Sequence, residues 1–410
     1  MKKILILTVT AGNGHNACAS TIDKKLKTFP NVESKIIDIF KSFSNKQTFW
    51  AIDSGYNISV SKFLPIYNFV YEHYRHKKPA KRFSSPAHKF ALKCVGGLLK
   101  EIYSYKPDVI FCTHFLASIA ICDLKLKYSI PCKTYTTCLD YVLSPFWECC
   151  NTIDYFNIPN EDFISSCNRL GFSNNQILSF GIPVSEKFLK EEQKENLLKD
   201  LQLKPNTLTI LVMFGGGHWN GSYKALKNLI RALKNKDSQV IVINGKNKKT
   251  FNQISKLKTP KNIHISNIGY TNNVEKYMTV SDICYTKVGG VSSTEMLYKN
   301  LPIFAIKKLP MQEKHNLEYL SSKGLAFKIK TKKDIQKNIE IVFSNNSTHI
   351  NENNIIKKDA LQNIVKHILS CNKANYTNIF PENINYNLVK SVIEKLIKKY
   401  KRERENLPRP

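Results

Sequence analysis

The chain has 410 residues, more than one compact core serves, and its 42% hydrophobic and 23% charged residues are a globular composition that excludes global disorder. With 62 Lys+Arg against 32 Asp+Glu the formal net charge is +30, which points to a nucleic acid or an anionic membrane surface unless the lysines only solvate exposed faces. No apolar run is long enough to span a bilayer. No zinc-finger spacing, helix-turn-helix or aromatic RNA-binding strand is present, so nucleic acid is set aside.

The opening apolar run, residues 4–9 (ILILTV), ends in the glycine loop AGNGHNA, and a helix is expected to about Phe29. A buried strand, a glycine turn and a helix make the start of a doubly wound parallel sheet, not a signal peptide with a small-residue cleavage site. A cytoplasmic protein is therefore expected. Residues 36–40, Val109 to Cys112 and Lys133 to Thr137 read as further strands, and polar clusters holding His114 and Asp140 follow the last two. Ligands collect at the carboxyl ends of strands in such sheets, so His15, His114 and Asp140 can share one cleft. The eleven cysteines are odd in number and form no Cys-x-x-Cys pair, so reduced, packed thiols and no cysteine-held metal are expected.

Residues 43–100 differ in character. They hold Trp50, Tyr56, Phe63, Tyr67, Phe69, Tyr71 and Tyr74 beside the basic run HYRHKKPAKR at 73–82. Aromatics beside lysines suit a membrane interface, and equally a core with a solvated loop; their spacing does not decide. GIPV at 181–184 ends the first half, and a charged helix leads to Pro205 as a linker. The second half repeats the pattern: a strand at Thr207 to Phe214, a turn at Gly215, Gly216, Gly217 and His218, a helix at Tyr223 to Leu233, and strands at 239–244 and Ile263 to Ile265. A helix at Val274 to Val280 follows, then ICYTKV. The expected fold class is α/β, two Rossmann-like domains facing a cleft. The expected divisions are 1–184, a linker at 185–206, a second domain at 207–370 and a basic helical tail at 371–410.

The stretch 287–316, KVGGVSSTEMLYKNLPIFAIKKLPMQEKHN, concentrates the polar chemistry. Gly289 and Gly290 leave backbone amides bare for an anion, and Ser292, Ser293 and Thr294 can cap a helix whose amino end faces it. Glu295, one turn on, suits a ribose diol; Gln312, Glu313 and Asn316, after a short strand at Ile303 to Ile306, suit sugar hydroxyls. Phosphate, ribose and sugar in that order describe a nucleotide sugar. The tail at 384–408 has an apolar helical stripe (Leu388, Ile393, Leu396, Ile397) and a basic opposite face. It can lie on a membrane, pack across the domains or be solvated; packing near the stripe with KKYKRER free is the favoured expectation.

These blocks resemble a known family. LTVTAGNGHNACA at 7–19, LDYVLSPFWE at 139–148 and FGIPV at 180–184 are similar to monogalactosyldiacylglycerol synthase-type glycosyltransferases. LVMFGGGH, INGKNKK, IGYTNNVEKYM, YTKVGGVSSTEMLYKNLPIF and PMQEKHNLEYL resemble the matching nucleotide-sugar domain, most of all in processive diacylglycerol glucosyltransferases. The resemblance implies the GT-B architecture, with the lipid acceptor in the first domain and a UDP-sugar in the second. It implies that Gly289, Gly290, Ser292 and the loop at Gly216, Gly217 and His218 meet the diphosphate, and that Glu295 holds the ribose. Tyr270 and Thr271 would read the uracil; Gln312, Glu313 and Asn316 would contact the sugar. His15 would stand at the reaction centre, with Gly14, Asn16 and His114 toward the acceptor. Val288 replaces the usual proline, His218, Trp219 and Asn220 replace further glycines, and Cys149 and Cys150 form an unusual pair.

Transfer from a UDP-sugar needs stabilisation of the departing diphosphate, by a metal or by amides, hydroxyls and a helix end. The sequence has no Asp-x-Asp motif, so the metal-free route with no further cofactor is expected. A base must take the acceptor proton; His15 suits that role, with Asp140 as an alternative or an orienter. Inversion at the anomeric carbon is what the resemblance implies. The expected function is transfer of a hexose from a UDP-hexose to a lipid, diacylglycerol first, by an enzyme held peripherally on anionic membrane at its cytoplasmic face. Transfer to a polyprenyl-linked or sterol lipid, and UDP-sugar epimerisation on the same architecture, are the alternatives.

Overall fold

Apolar runs in both halves become parallel strands, most of them buried on both faces, as sheets sandwiched by helices require. A computed structural model describes residues 1–10, 12–45, 58, 63–75, 85–128, 130–214, 222–344 and 355–376. The first sheet holds β1 (Lys2–Thr8), β2 (Val32–Asp38), β3 (Val109–Cys112), β4 (Lys133–Thr137), β5 (Tyr155–Asn157) and β6 (Ile177–Leu178) in the order β2-β1-β3-β4-β5-β6. The second holds β7 (Leu208–Met213), β8 (Ser238–Ile243), β9 (Ile263–Ile268), β10 (Ile283–Thr286), β11 (Ile303–Ala305) and β12 (Ala326–Lys328) in the order β12-β11-β10-β7-β8-β9. Every pairing is parallel. The expected α/β class with two Rossmann-like domains is therefore the observed one. β2 starts four residues earlier than expected because the whole of Val32–Asp38 pairs with β1, and the polar Asp38 then caps the next helix.

Five helices position the site: α1 (Asn13–Leu26), α2 (Leu64–Arg75), α3 (Gly290–Tyr298), α4 (Met311–Ser322) and α5 (Ala360–Ser370). α1 stops at Leu26, before the expected Phe29, and packs against both β1 and β2. α5, expected within the second domain, instead returns to pack on α1 of the first. Its buried face, Leu361, Ile364, Val365 and Ile368, finds apolar cover there, and Lys2 Nζ donates to the Leu369 carbonyl at 2.7 Å. Beyond it, Tyr376 Oη donates to the Pro107 carbonyl at 2.8 Å and the Ala374 amide to Asp108 Oδ1 at 2.9 Å. The chain thus reaches Tyr376 beside the start of β3, opposite the carboxyl ends of the strands. Trp50, Tyr56, residues 76–82 of the basic run and the tail stripe lie outside the described residues. All eleven cysteines are free thiols; ten are buried and Cys371 is half-buried.

Candidate active site

The site assembles where two helix amino ends meet. α1 follows β1 and α3 follows β10, and each is capped by a glycine, Gly12 and Gly289, whose missing side chain leaves the first amides without a capping oxygen. Gly12 sits at φ +90°, a conformation that favours glycine. The two helices pack on one another, and a Cβ built on Gly14 would stand 3.4 Å from Val291 Cγ2. Gly14 thus lies at the contact between the two domains.

His15 projects from the first turn of α1. Its Nδ1 lies 2.6 Å from the Thr113 carbonyl oxygen. A carbonyl only accepts, so Nδ1 carries the proton and Nε2 keeps its lone pair. Burial lowers the pKa of His15, against the opposing pull of the Thr113 carbonyl and of Asp140, so the ring is held neutral. His114 meets it edge to face, with ring centroids 4.4 Å apart. His114 is buried, its Nδ1 accepts from the Leu116 amide at 3.0 Å, and burial together with His15 pushes its pKa down. It forms a wall and a helix cap behind His15, with its Nδ1 committed to the cap. Asn16 is likewise turned inward: its Oδ1 accepts from Thr8 Oγ1 at 2.8 Å and its Nδ2 donates to Thr10 Oγ1 at 3.2 Å.

Across the cleft, Gly289 and Ser292 stand at the start of α3, and Ser292 Oγ donates back to the Gly289 carbonyl at 3.2 Å. Ser293 Oγ is buried with no hydrogen-bond partner among the described residues. Gly290 also lies against the first domain. A Cβ there would fall 1.8 Å from the carbonyl oxygen of Leu139 in the first domain, so its bareness admits a neighbouring backbone. Glu295 is half-buried and forms no hydrogen bond or ion pair among the described residues. Burial pushes its pKa up to about 8, with Lys187 opposing and Glu275 adding to the rise. Near neutrality it is an uncharged acid, able both to donate and to accept.

The amide-rich turn also reaches the first domain. Gln312 Nε2 donates to Asp140 Oδ2, and Asn316 Nδ2 donates to Asp140 Oδ1 at 2.7 Å and to the Val288 carbonyl at 3.0 Å. Both carboxylate oxygens of Asp140 are thus occupied, which suits an orienter better than a base. Glu313 Oε1 pairs with Lys287 Nζ at 3.2 Å, while its buried Oε2 has no hydrogen-bond partner among the described residues. Lys287, two residues before Gly289, is the cation that sequence reasoning passed over; its place beside the glycine pair was the available signal.

α2 spans the cleft from the first domain to α4. Asn68 Oδ1 accepts from the Met311 amide at 2.8 Å, and His315 Nε2 lies 2.8 Å from Glu72 Oε1. Burial, with Glu313 and Asp140, raises the pKa of Tyr67, which places that phenol over the same cluster. The outer face of α2 is apolar: Ile66 and Phe69 are 61% and 72% exposed, with Phe63 and Val70 beside them. The aromatic segment therefore has two faces, one for the second domain and one for solvent.

Tyr270 and Thr271 do not join this cluster. They follow β9, the edge strand three places from β10, about 14 Å away at ordinary strand spacing. Tyr270 is exposed and donates to Asn272 Oδ1 at 2.9 Å, and Thr271 Oγ1 accepts from the Asn273 amide at 3.1 Å. Gly216, Gly217 and His218 lie outside the described residues. No helix among the described residues is long and apolar enough to cross a membrane.

Residues 15–184 match the family model of monogalactosyldiacylglycerol (MGDG) synthase. The chain is 28% identical over 327 residues to a processive diacylglycerol beta-glucosyltransferase of Staphylococcus epidermidis, covering 79% of this chain and 80% of that protein. It is 22% identical over 387 residues to the Bacillus subtilis protein of the same name, covering 93% and 94%. Among solved structures, Acinetobacter baumannii MurG superposes with a TM-score of 0.56 at 14% identity, over 90% of this chain and 99% of that one. UDP-GlcNAc 2-epimerase from Neisseria meningitidis, bound to UDP-GlcNAc, gives 0.56 at 14% identity, over 90% and 100%. These two likenesses establish the shared GT-B architecture.

Proposed function

From the similarity of residues 15–184 to the monogalactosyldiacylglycerol synthase family model, we propose that the chain transfers a hexose from a UDP-hexose to diacylglycerol, giving a glycosyldiacylglycerol. One observation carries the reading: two uncapped helix amino ends face each other, one bearing neutral His15 and the other leading to Glu295 and the amide turn. The amino end of α3 and Lys287 stabilise charge growing on the departing diphosphate, with no metal taking part. Neutral Glu295 meets the ribose diol without adding a negative charge near the phosphates. His15 Nε2 takes the acceptor hydroxyl proton as the oxygen attacks the anomeric carbon; attack opposite the leaving diphosphate inverts that centre.

The outer face of α2, with Phe63, Ile66, Phe69 and Val70, docks on the bilayer that holds the acceptor, and the +30 charge draws the protein to anionic lipid, as expected for a peripheral enzyme of the cytoplasmic face. Its inner face meets α4, so the docked helix also roofs the donor side.

The test incubates the protein with radiolabelled UDP-glucose or UDP-galactose and diacylglycerol liposomes, with and without a chelator. Label passes into the organic phase in both arms. Label confined to an aqueous isomer would favour an epimerase of the same architecture, and loss of transfer with the chelator would overturn the metal-free route.

A further inference from the structure

The loop that carries Asp140 is fastened to the second domain at several points. The Leu139 carbonyl lies in the space a Cβ on Gly290 would take. Tyr141 Oη lies 2.8 Å from Thr294 Oγ1, and the Tyr141 ring stacks on Tyr319 of α4 with centroids 5.7 Å apart and planes 9° from parallel. Asp140 is therefore held from both sides, and its two oxygens receive the amide groups of Gln312 and Asn316.

A carboxylate can only accept, so each of those amides must turn its NH₂ toward Asp140. For Asn316 the Val288 carbonyl, a second acceptor, enforces the same choice. The consequence falls on the opposite atoms. Asn316 is fully buried, and its Oδ1 has no hydrogen-bond partner among the described residues. Gln312 Oε1 is turned away from Asp140 in the same manner. Glu313 adds a third acceptor, because Lys287 takes its Oε1 and leaves the buried Oε2 unpartnered among the described residues. A buried acceptor without a donor is costly unless a ligand supplies one. The two buried, unpartnered acceptor oxygens on Glu313 and Asn316, with Gln312 Oε1 also turned from Asp140, call for a ligand rich in O–H donors, as a hexose is.

Resting on the donor reading above, we infer that Asp140 is a positioning residue for the donor: from the acceptor domain it fixes which way the Gln312 and Asn316 amides face. Hexose selection is thus set at the contact between domains, not within the donor domain alone. The free Nε2 of His15 leaves Asp140 available for this role.

The test measures binding of UDP, UDP-glucose and UDP-galactose by calorimetry, and KM, kcat and pH profile of transfer, on the full chain. Asp140→Asn is nearly isosteric but brings an NH₂ to face the amides, so one of them must flip and present N–H to the sugar. The expected result is UDP affinity within about twofold of the parent, an increase of about tenfold in KM for the UDP-hexose, a narrower preference between the two hexoses and an unmoved acid limb of the pH profile. Asp140→Asn combined with Gln312→Glu restores an acceptor facing a donor, and should recover part of the lost KM beyond the sum of the single changes. Unchanged KM and preference in Asp140→Asn would overturn the inference, and so would an additive double variant. A collapse of kcat with a shifted acid limb would make Asp140 the base instead, and a parallel loss of UDP affinity and melting temperature would make it merely structural. If the parent binds no UDP, the donor reading itself fails, an outcome distinct from all of these.

Discussion

The amino ends of α1 and α3 are built alike and used differently. Each follows a strand carboxyl end, each begins at a glycine without a side-chain cap, and neither has an acidic residue in its first turn. On α1 the next groups are an imidazole locked by a carbonyl and an asparagine bonded inward. On α3 they are a glycine pressed by the other domain's backbone, a buried hydroxyl and an acid held near neutral. Under the proposed function the same backbone device serves proton transfer on one side and anion binding on the other. What separates the two is side-chain burial and hydrogen bonding, not helix geometry.

The sharpest way to break this contrast is His15→Gln. If α1 supplies the base, kcat falls about 10²- to 10⁴-fold while UDP affinity, measured by calorimetry, is unchanged. An equal loss of UDP binding would place His15 on the donor side instead. Gly290→Ala comes next. Its methyl meets the Leu139 carbonyl, and overpacking of this kind costs about 1–3 kcal/mol. Transfer should fall roughly 5- to 100-fold in initial-rate assays, by more than UDP affinity falls, because the domains no longer approach.

Glu295→Ala should weaken UDP binding about tenfold, the worth of one or two hydrogen bonds. Glu295→Gln mimics the neutral acid and should weaken it less. UDP affinity of the parent should also decline as pH rises through about 8, where Glu295 loses its proton, and the glutamine variant should not show that decline. In folding terms the raised pKa of Glu295 contributes stability that is full below the unfolded value of about 4.5 and is lost as pH rises through about 8.

The smallest effect concerns stability at acid pH. His15 and His114 both have lowered pKa values, so the unfolded chain binds their protons more readily than the folded one. Their contribution is full above the ordinary histidine value of 6.5 and is lost as pH falls below it through the lowered values. Thermal melts should drop by a few degrees between about pH 7 and 5.5, and less so in His114→Gln relative to its own value at pH 7.

Much of this was legible beforehand. Continuous apolar runs such as Ile4 to Leu7 and Ile210 to Val212 announce parallel strands, because a strand covered on both faces has no polar side to show. Glycines after β1 and β10 announce helix amino ends. β5, β6 and β12 were missed because segments of two or three residues carry no period of their own; they pair only because longer neighbours present an edge. The split of residues 64–75 into two faces was hidden as well, since a tyrosine facing another domain and a phenylalanine facing solvent look alike in sequence.

The sequence by itself determined two parallel α/β domains, the glycine-opened helices and the kinds of side chain at the cleft, because local pattern and turn chemistry act over a few residues. Tertiary structure alone decided the direction of each polar group: that Gly290 admits Leu139, that His114 and Asn16 turn inward, and that Asp140 reaches across 172 residues of chain to Gln312. Hydrogen-bond partners at that separation are chosen by how two domains meet, and no local pattern encodes the meeting.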